Sequence, residues 1–350
     1  MCIRDSILLT DIHFGCKGNS DEFNQQCLDF LQFVQDYVDE HFENEDILPI
    51  FLGDWYNNRN TINVKTLNYG IEGLRTFDNI GTMENSLLLV GNHDIYYKDR
   101  RDTYSPINPD GDAQINIVDE PLFINSELTG NHGCLFVPWL LSNEKLTDLI
   151  NEYNPEYVFG HFELPSFKLN NQVTMDGEFN PADYSNVKRI FSGHFHIRQS
   201  KSNVYYIGNC FSHDFSDSND WHNKGFGIFD PDENELEFVE WENAPKYCIC
   251  RASELDKMEI GSHMKLKLIN NMDLPQKTLN EIQEQLLSLP QIEECLWYPQ
   301  NLLISEADKE IDLTNIPDVN IMIGKMLSEM DMQNINNNKL VTIYNNLEEK

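Results

Sequence analysis

The chain is short of positive charge. Twenty-five Lys and Arg stand against 58 Asp and Glu in 350 residues, a formal net charge of −33. A nucleic-acid binder is expected to carry a basic patch. Either basic residues cluster locally, or metal ions and a partner supply the positive field, or the substrate is not a polynucleotide. No apolar run approaches the roughly 18 residues of a membrane span, so no membrane partner is expected. The first residues lack a basic stretch followed by an apolar one, so no signal peptide is expected. The eight cysteines include no C-x-x-C and follow no disulfide-framework spacing. That pattern fits reduced cysteines and a cytoplasmic location. Cys248 and Cys250, one residue apart in strand-like sequence, are expected on opposite faces. No internal repeat is visible, and the one low-complexity hint is Asn334-Ile335-Asn336-Asn337-Asn338.

What is present suffices for a large packed core. Hydrophobic residues make up 40% of the chain and aromatics 11%, which argues against global disorder. Residues 1–6 are set aside, because Met1-Cys2-Ile3-Arg4-Asp5-Ser6 reads poorly as the start of a buried strand. Strands are expected at 6–10, 47–52, 86–90, 134–139, 157–160, 187–192 and 203–208. Pro49 suggests an early or edge position for the second of these. Helices are expected at 22–42, where Phe23, Cys27, Phe30, Leu31, Val34 and Val38 recur at three- and four-residue spacing behind Asp21 as cap, and at 62–79 and 142–152. Residues 226–230 and 235–241 flank Pro231-Asp232-Glu233-Asn234 and read as a hairpin. The order β-α-β-α-β, then mostly strands, predicts an α/β sandwich of two sheets with helices outside.

Five short segments each close a strand-like run with metal-ligand residues. They are Asp11-Ile12-His13, Gly53-Asp54, Gly91-Asn92-His93-Asp94, Gly160-His161 and Gly193-His194-Phe195-His196. Carboxylate, imidazole and amide oxygen suit hard or borderline cations such as Mn²⁺. Asp11 and His13 can reach one ion, and Asp54 can bridge two with its two oxygens. Asn92 offers a carbonyl oxygen, His194 and His196 can reach neighbouring ions, and His161 completes the second. Two such ions roughly 3.5–4 Å apart activate a water and stabilise both oxygens of a phosphate-ester displacement. His93 is left over beside the site, placed to protonate a leaving alkoxide. Asp94 can orient its ring or cap a helix.

These motifs resemble the calcineurin-like metallophosphoesterase superfamily. Within it, the chain looks like the nuclease subunit of SbcCD/Mre–Rad recombination-repair complexes, in the version carried by large tailed phages. The narrower resemblance rests on residues 53–59, 91–98, Val137-Pro138-Trp139, 160–164 and 192–196, and on the loop from Ile207-Gly208-Asn209 to Lys224-Gly225-Phe226. It covers residues 6–243 well and the remainder in layout. It implies a nuclease domain at 1–243, a small α+β capping domain at 244–312, and a helix–loop–helix at 313–350 that grips a coiled-coil ABC-type ATPase. It implies a homodimer, DNA as substrate, and two manganese ions. One ion takes Asp11, His13, Asp54 and His196, the other Asp54, Asn92, His161 and His194, with His93 as the catalytic histidine. The chain departs from many members at Asn57, where they carry histidine, and at His213, where they carry arginine. Asn57, Asn58 and Asp94 argue against the protein serine/threonine phosphatase branch.

Blander readings compete for several residues. Arg59 either positions phosphate or pairs with a carboxylate in the interior. His213 and His222 lie in a polar loop where substrate contact is conceivable and simple solvation the commoner outcome. Tyr96 and Tyr97 suit base stacking, though packing is the usual fate of aromatics. The Met-rich tail at 319–347 reads as a docking element or as a hairpin on its own domain. The acidic balance keeps a small-molecule phosphodiesterase of the same superfamily as the alternative to a DNA nuclease. A scaffold that has lost catalysis is the third reading, disfavoured by the intact ligand set.

Overall fold

A computed structural model describes residues 5–43, 46–81, 86–105, 115–169, 173–218 and 220–299. Contacts divide the chain into two units, Met1–Tyr298 and Pro299–Lys350. The second, apart from Pro299 and including the expected helix–loop–helix, lies outside the described residues.

In chain order the strands of the first part are β1 (Asp5–Leu9), β2 (Ile47–Phe51), β3 (Ser86–Leu89), β4 (Ile115–Val118), β5 (Leu122–Ile124), β6 (Cys134–Val137), β7 (Tyr157–His161) and β8 (Arg189–Gly193). They continue with β9 (Gln199–Lys201), β10 (Val204–Tyr206), β11 (Gly225–Asp230), β12 (Glu235–Glu240), β13 (Lys246–Arg251), β14 (Met264–Asn270) and β15 (Ile292–Pro299). The helices are the single turn α1 (Cys16–Asn19), then α2 (Asp21–His41), α3 (Val64–Asp78), α4 (Leu146–Tyr153) and α5 (Gln276–Leu287). One sheet runs β12-β11-β1-β2-β3-β4, a second β5-β6-β7-β8-β10-β9, and a third β13-β14-β15. β1 through β4 pair in parallel, as do β6, β7, β8 and β10.

The side-chain period of two sorts the core into layers. Ile7 and Leu9 of β1 face α2 and α3, in a cluster with Phe23, Phe30, Leu31, Trp55 and Phe77. Leu8 between them faces the second sheet, with Leu48, Ile50, Phe136, Phe159, Phe191 and Phe229. The far side of that sheet packs Leu135, Val158 and Ile190 against Leu146 and Ile150 of α4. The result is the expected two-sheet α/β sandwich with helices outside. Each fully buried Leu or Phe contributes about 1.5–3 kcal/mol relative to exposure.

Four local expectations need correction. Ser20, not Asp21, caps α2, its hydroxyl accepting from the Phe23 amide, and Asp21 and Glu22 occupy the first turn where the helix dipole favours them. β1 begins one residue early, at Asp5 from the stretch set aside, with Ser6 buried and paired to Phe229 and Leu48. β2 lies inside its sheet despite Pro49, because the ladder to β3 begins only at Ile50, past the proline that has no N–H to give. Cys248 and Cys250 share a face, both against the small core of the third sheet, as residues two apart in a strand must.

That third sheet and α5 bury Met264, Leu266, Leu268, Ile292 and Cys295 among themselves. No helix among the described residues is long and apolar enough to cross a membrane.

Candidate metal centre

The carboxyl ends of the parallel strands of both sandwich sheets converge on one point, the usual place for a site in such sheets. β1 delivers Asp11 and His13, β2 Asp54, β3 Asn92 and His93, β7 His161, and β8 His194 and His196. Asp11, His13, Asp54 and His194 all adopt positive φ, between 53° and 83°. None is glycine, so each carries backbone strain that its surroundings must enforce, as functional sites often do.

The enforcement is visible around Asp54. The Asp94 carboxylate accepts from the amides of Asp54 (2.8 Å), Trp55 (3.0 Å), Tyr56 (3.2 Å) and Gly91 (2.9 Å). It thereby ties the loop after β2 to the loop after β3. Burial and the Asp54 charge push its carboxyl up to about 7, against the pull of the Gly91 and Tyr56 amides. Asp94 does not orient the His93 ring, as expected from its place in sequence. The His93 Nδ1 instead meets the Asn57 carbonyl at 2.7 Å. Trp55 and Tyr56 are held beneath α3, where a Cβ on Gly70 would fall 2.2 Å from the Tyr56 hydroxyl oxygen. Gly91 admits Asp54 in the same way, since a Cβ there would sit 2.2 Å from its Oδ1.

The seven residues expected around the ions are brought together. His161 Nδ1 donates to the Leu52 carbonyl at 2.7 Å, which turns Nε2 toward Asn92 Oδ1 (2.9 Å) and Asp54 Oδ2 (3.4 Å). His194 places Nδ1 3.0 Å from the same Asn92 oxygen and Nε2 3.2 Å from Glu163. His13 Nε2 lies 3.6 Å from Asp54 Oδ2 and 3.8 Å from Asp11 Oδ1, and His196 Nε2 lies 3.9 Å from Asp11 Oδ1. Donor atoms of Asp54, His161 and His194 form one cluster within 4.8 Å, those of His13, Asp54 and His93 another, so Asp54 belongs to both. Both ring nitrogens of buried His13 lack a hydrogen-bond partner, an expense that a bound cation removes. The donor set and these orphaned atoms fit a pair of divalent cations.

The charges are tightly linked. Burial alone would raise Asp11, yet the neighbouring His13, His161 and His196 rings hold it down at about 2. His161 shows the reverse balance: burial opposes its charge, but the Asp54 carboxylate outweighs this and lifts it to about 9. Burial lowers His93 to about 4, more than Asp54 can restore, so its ring is neutral near pH 7. Its own amide donates to Asp54 Oδ1 at 2.8 Å.

The expected substrate residues divide. Arg59 is half-buried, with no carboxylate partner among the described residues, and its charge reaches His93. Asn57 contributes its carbonyl to His93. His213 is not a solvated loop histidine, being only 5% exposed between Phe23, Phe211, His13 and His196. His222 is exposed, against Trp221 and Glu259. Tyr96 and Tyr97, expected in the core, are 47% and 37% exposed.

Several residues were missed in sequence. Asp217 accepts from the His213 amide (2.8 Å) and Asn209 (3.1 Å) and lies 4.0 Å from His196 Nδ1. Lys224, 1% exposed, donates to the His196 carbonyl (2.9 Å), Asn209 Oδ1 (2.5 Å) and Asp220 Oδ2 (3.1 Å). Trp139 packs on the rings of His161 and His194. A lone lysine amid an acidic loop was the available signal for Lys224, and nothing marked Asp217 among its neighbouring aspartates.

Such a convergence of aspartate, asparagine and histidine at sandwich strand ends defines a class of phosphate-ester hydrolases, and the comparison with known families agrees. Residues 7–198, more than half of the chain, match the calcineurin-like phosphoesterase family. The chain belongs to that family and is a metal-dependent phosphoesterase. It is also similar to exonuclease subunit 1 of Enterobacteria phage T4, 26% identical over 242 residues. The matched stretch covers 66% of this chain and 66% of the length of that relative.

Proposed function

We propose that the chain is a manganese-dependent DNA endo/exonuclease subunit, working with a coiled-coil ABC-type ATPase in recombination or repair. The observation that carries the proposal is the pair of donor clusters sharing Asp54, one with His161 and His194 and the other with His13 and His93, the His93 ring being held at Nδ1 by a carbonyl rather than by a carboxylate. Asp11, His13, Asp54 and His196 would hold one ion, and Asp54, Asn92, His161 and His194 the other. When bound, such a pair supplies an activated water and neutralises charge on the phosphate. His93, neutral and oriented through Nδ1, presents its other nitrogen to the site, where it steadies the phosphate or passes a proton to the departing oxygen. Asp94 is a positioning residue for the Asp54 loop. Arg59, with no carboxylate partner among the described residues, suits a phosphate oxygen.

DNA rather than a small phosphodiester is favoured by three features. The relative is an exonuclease subunit. Tyr96 and Tyr97 stand exposed beyond His93, with Arg100 over the Tyr97 ring. Few as basic residues are, Lys17 and Lys265 gather over Tyr247, and Lys267 over Phe215 and Tyr298. Aromatic rings interleaved with lysine suit a single strand. Residues 244–312, of which 300–312 lie outside the described residues, are read as the capping domain, residues 313–350 as the ATPase-binding element, and the nuclease domain as the dimerising one.

The test is hydrolysis of end-labelled single- and double-stranded DNA by the full chain with Mn²⁺, alone and with its ATPase. Cleavage is expected. Hydrolysis of a small phosphodiester such as bis(p-nitrophenyl) phosphate, with no DNA cleaved in either setting, would establish the small-molecule reading instead.

A further inference from the structure

His213 has no place in the seven-residue set, yet it stands closer to that set than a bystander need. Its ring is buried, its Nε2 has no hydrogen-bond partner, and its donor atom lies within 4.8 Å of donor atoms on both His13 and His196. The three imidazoles form a near-equilateral triangle. Their centroids are 5.2 Å (His13–His196), 5.3 Å (His13–His213) and 5.1 Å (His196–His213) apart, each pair edge to face.

That spacing is compatible with three rings gathered on one ion, although edge-to-face ring contact gives the same range. What ring contact alone does not account for is the orphaned nitrogens of His13 and His213. Burying an unpaired imidazole nitrogen costs of order 1–3 kcal/mol, which a ligand bond would remove. The ring is also pinned. Phe23 and Phe211 wall two sides, and the Asp217 carboxylate holds the His213 amide.

We propose that His213 is a third imidazole ligand to the ion that Asp11, His13 and His196 hold. The inference rests on the metal-centre reading above. Its consequence is an ion with a nitrogen-rich shell beside a second ion with fewer imidazoles. Such a shell favours borderline cations such as Mn²⁺, Co²⁺ or Zn²⁺ over Mg²⁺ and Ca²⁺. Burial also removes His213 from direct contact with substrate.

The experiment counts nitrogens. Full-length protein carrying His161→Asn, which disables the other ion's site, is stripped by chelation and refilled with Mn²⁺. Pulsed electron paramagnetic resonance on ¹⁵N-histidine-labelled and unlabelled samples then counts the imidazole nitrogens on the ion. Three are expected, and two after adding His213→Gln. Calorimetric titration of Mn²⁺ into His213→Gln alone should show one of the two ions bound about 10- to 100-fold more weakly, with the other unchanged. Two nitrogens in the His161→Asn protein, or Mn²⁺ affinities within twofold of wild type in His213→Gln, would overturn the assignment. Failure of unsubstituted protein to bind any Mn²⁺ would overturn the metal-centre reading itself.

Discussion

Replacing Lys224 by methionine keeps the length of the side chain and removes its charge and its three hydrogen bonds. The lysine is buried, and its three acceptors are the His196 carbonyl, Asn209 Oδ1 and Asp220 Oδ2. Asp220 stays behind, also buried, supported by the Arg198 amide at 3.1 Å and the Asn223 side chain at 2.8 Å. Removing one partner of a buried ion pair costs about 3–5 kcal/mol, because the other charge is left uncompensated. In a unit of this size that corresponds to a fall in melting temperature on the order of 10 °C. The second effect is on the site. The His196 carbonyl loses its donor and Asn209 loses the anchor it shares with Asp217, so the His196 ring is less well placed. Loss of such outer contacts typically weakens a metal about 10- to 100-fold. Thermal unfolding of metal-free Lys224→Met and of Lys224→Met/Asp220→Leu separates the terms. The double variant should recover much of the stability without recovering Mn²⁺ affinity. A single variant that melts within 1 °C of wild type and binds Mn²⁺ equally well would refute the reasoning.

Three further outcomes are expected. His93→Gln should keep both Mn²⁺ ions, measured by calorimetry, while turnover of any phosphodiester falls by about 10²–10⁴; loss of metal would instead make His93 a ligand. Gly91→Ala should lower both metal content and activity at least tenfold, because its Cβ would displace the Asp54 carboxylate; normal metal content would show that the loops can part. For pH, the raised His161 favours the metal-free fold below its ordinary value near 6.5, a contribution lost as pH rises through about 9, whereas the lowered Asp11 contributes above 3.8 and fails only toward about 2. Metal needs His161 neutral, so Mn²⁺ binding at pH 7 should release protons and tighten toward pH 9, which calorimetry in buffers of differing ionisation enthalpy detects; no proton release would contradict the raised His161.

The residues that gather at the strand ends were legible because strand and loop are contiguous in sequence. An apolar run ending in Gly-Asp or Gly-His tells both where the sheet stops and what it presents. The helix face of α2 was legible for the same reason, its period of 3.6 being local. What was not legible depends on residues far apart. His213 is buried by Phe23 and Phe211, which nothing in its own loop announces. The role of Asp94 follows from the amides of residues 54–56, about 40 positions away, so its neighbour His93 was a misleading guide. β4, β5 and β9 are three or four residues long, too short to show a period, and exist because a neighbouring strand pairs with them. Pro49 argued for an edge that sheet order overrides, and the exposure of Tyr96 and Tyr97 ran against the usual fate of aromatics.

The central claim is that two ions sharing Asp54 serve a histidine that does not hold them. It is tested most directly by measuring, on the same preparations, bound Mn²⁺ per chain and cleavage of end-labelled DNA, for wild type, His93→Gln and Asp54→Asn. The account expects two ions with cleavage, two ions without cleavage, and fewer than two ions without cleavage. Equal cleavage by wild type and His93→Gln, or two firmly bound ions in Asp54→Asn, would contradict it.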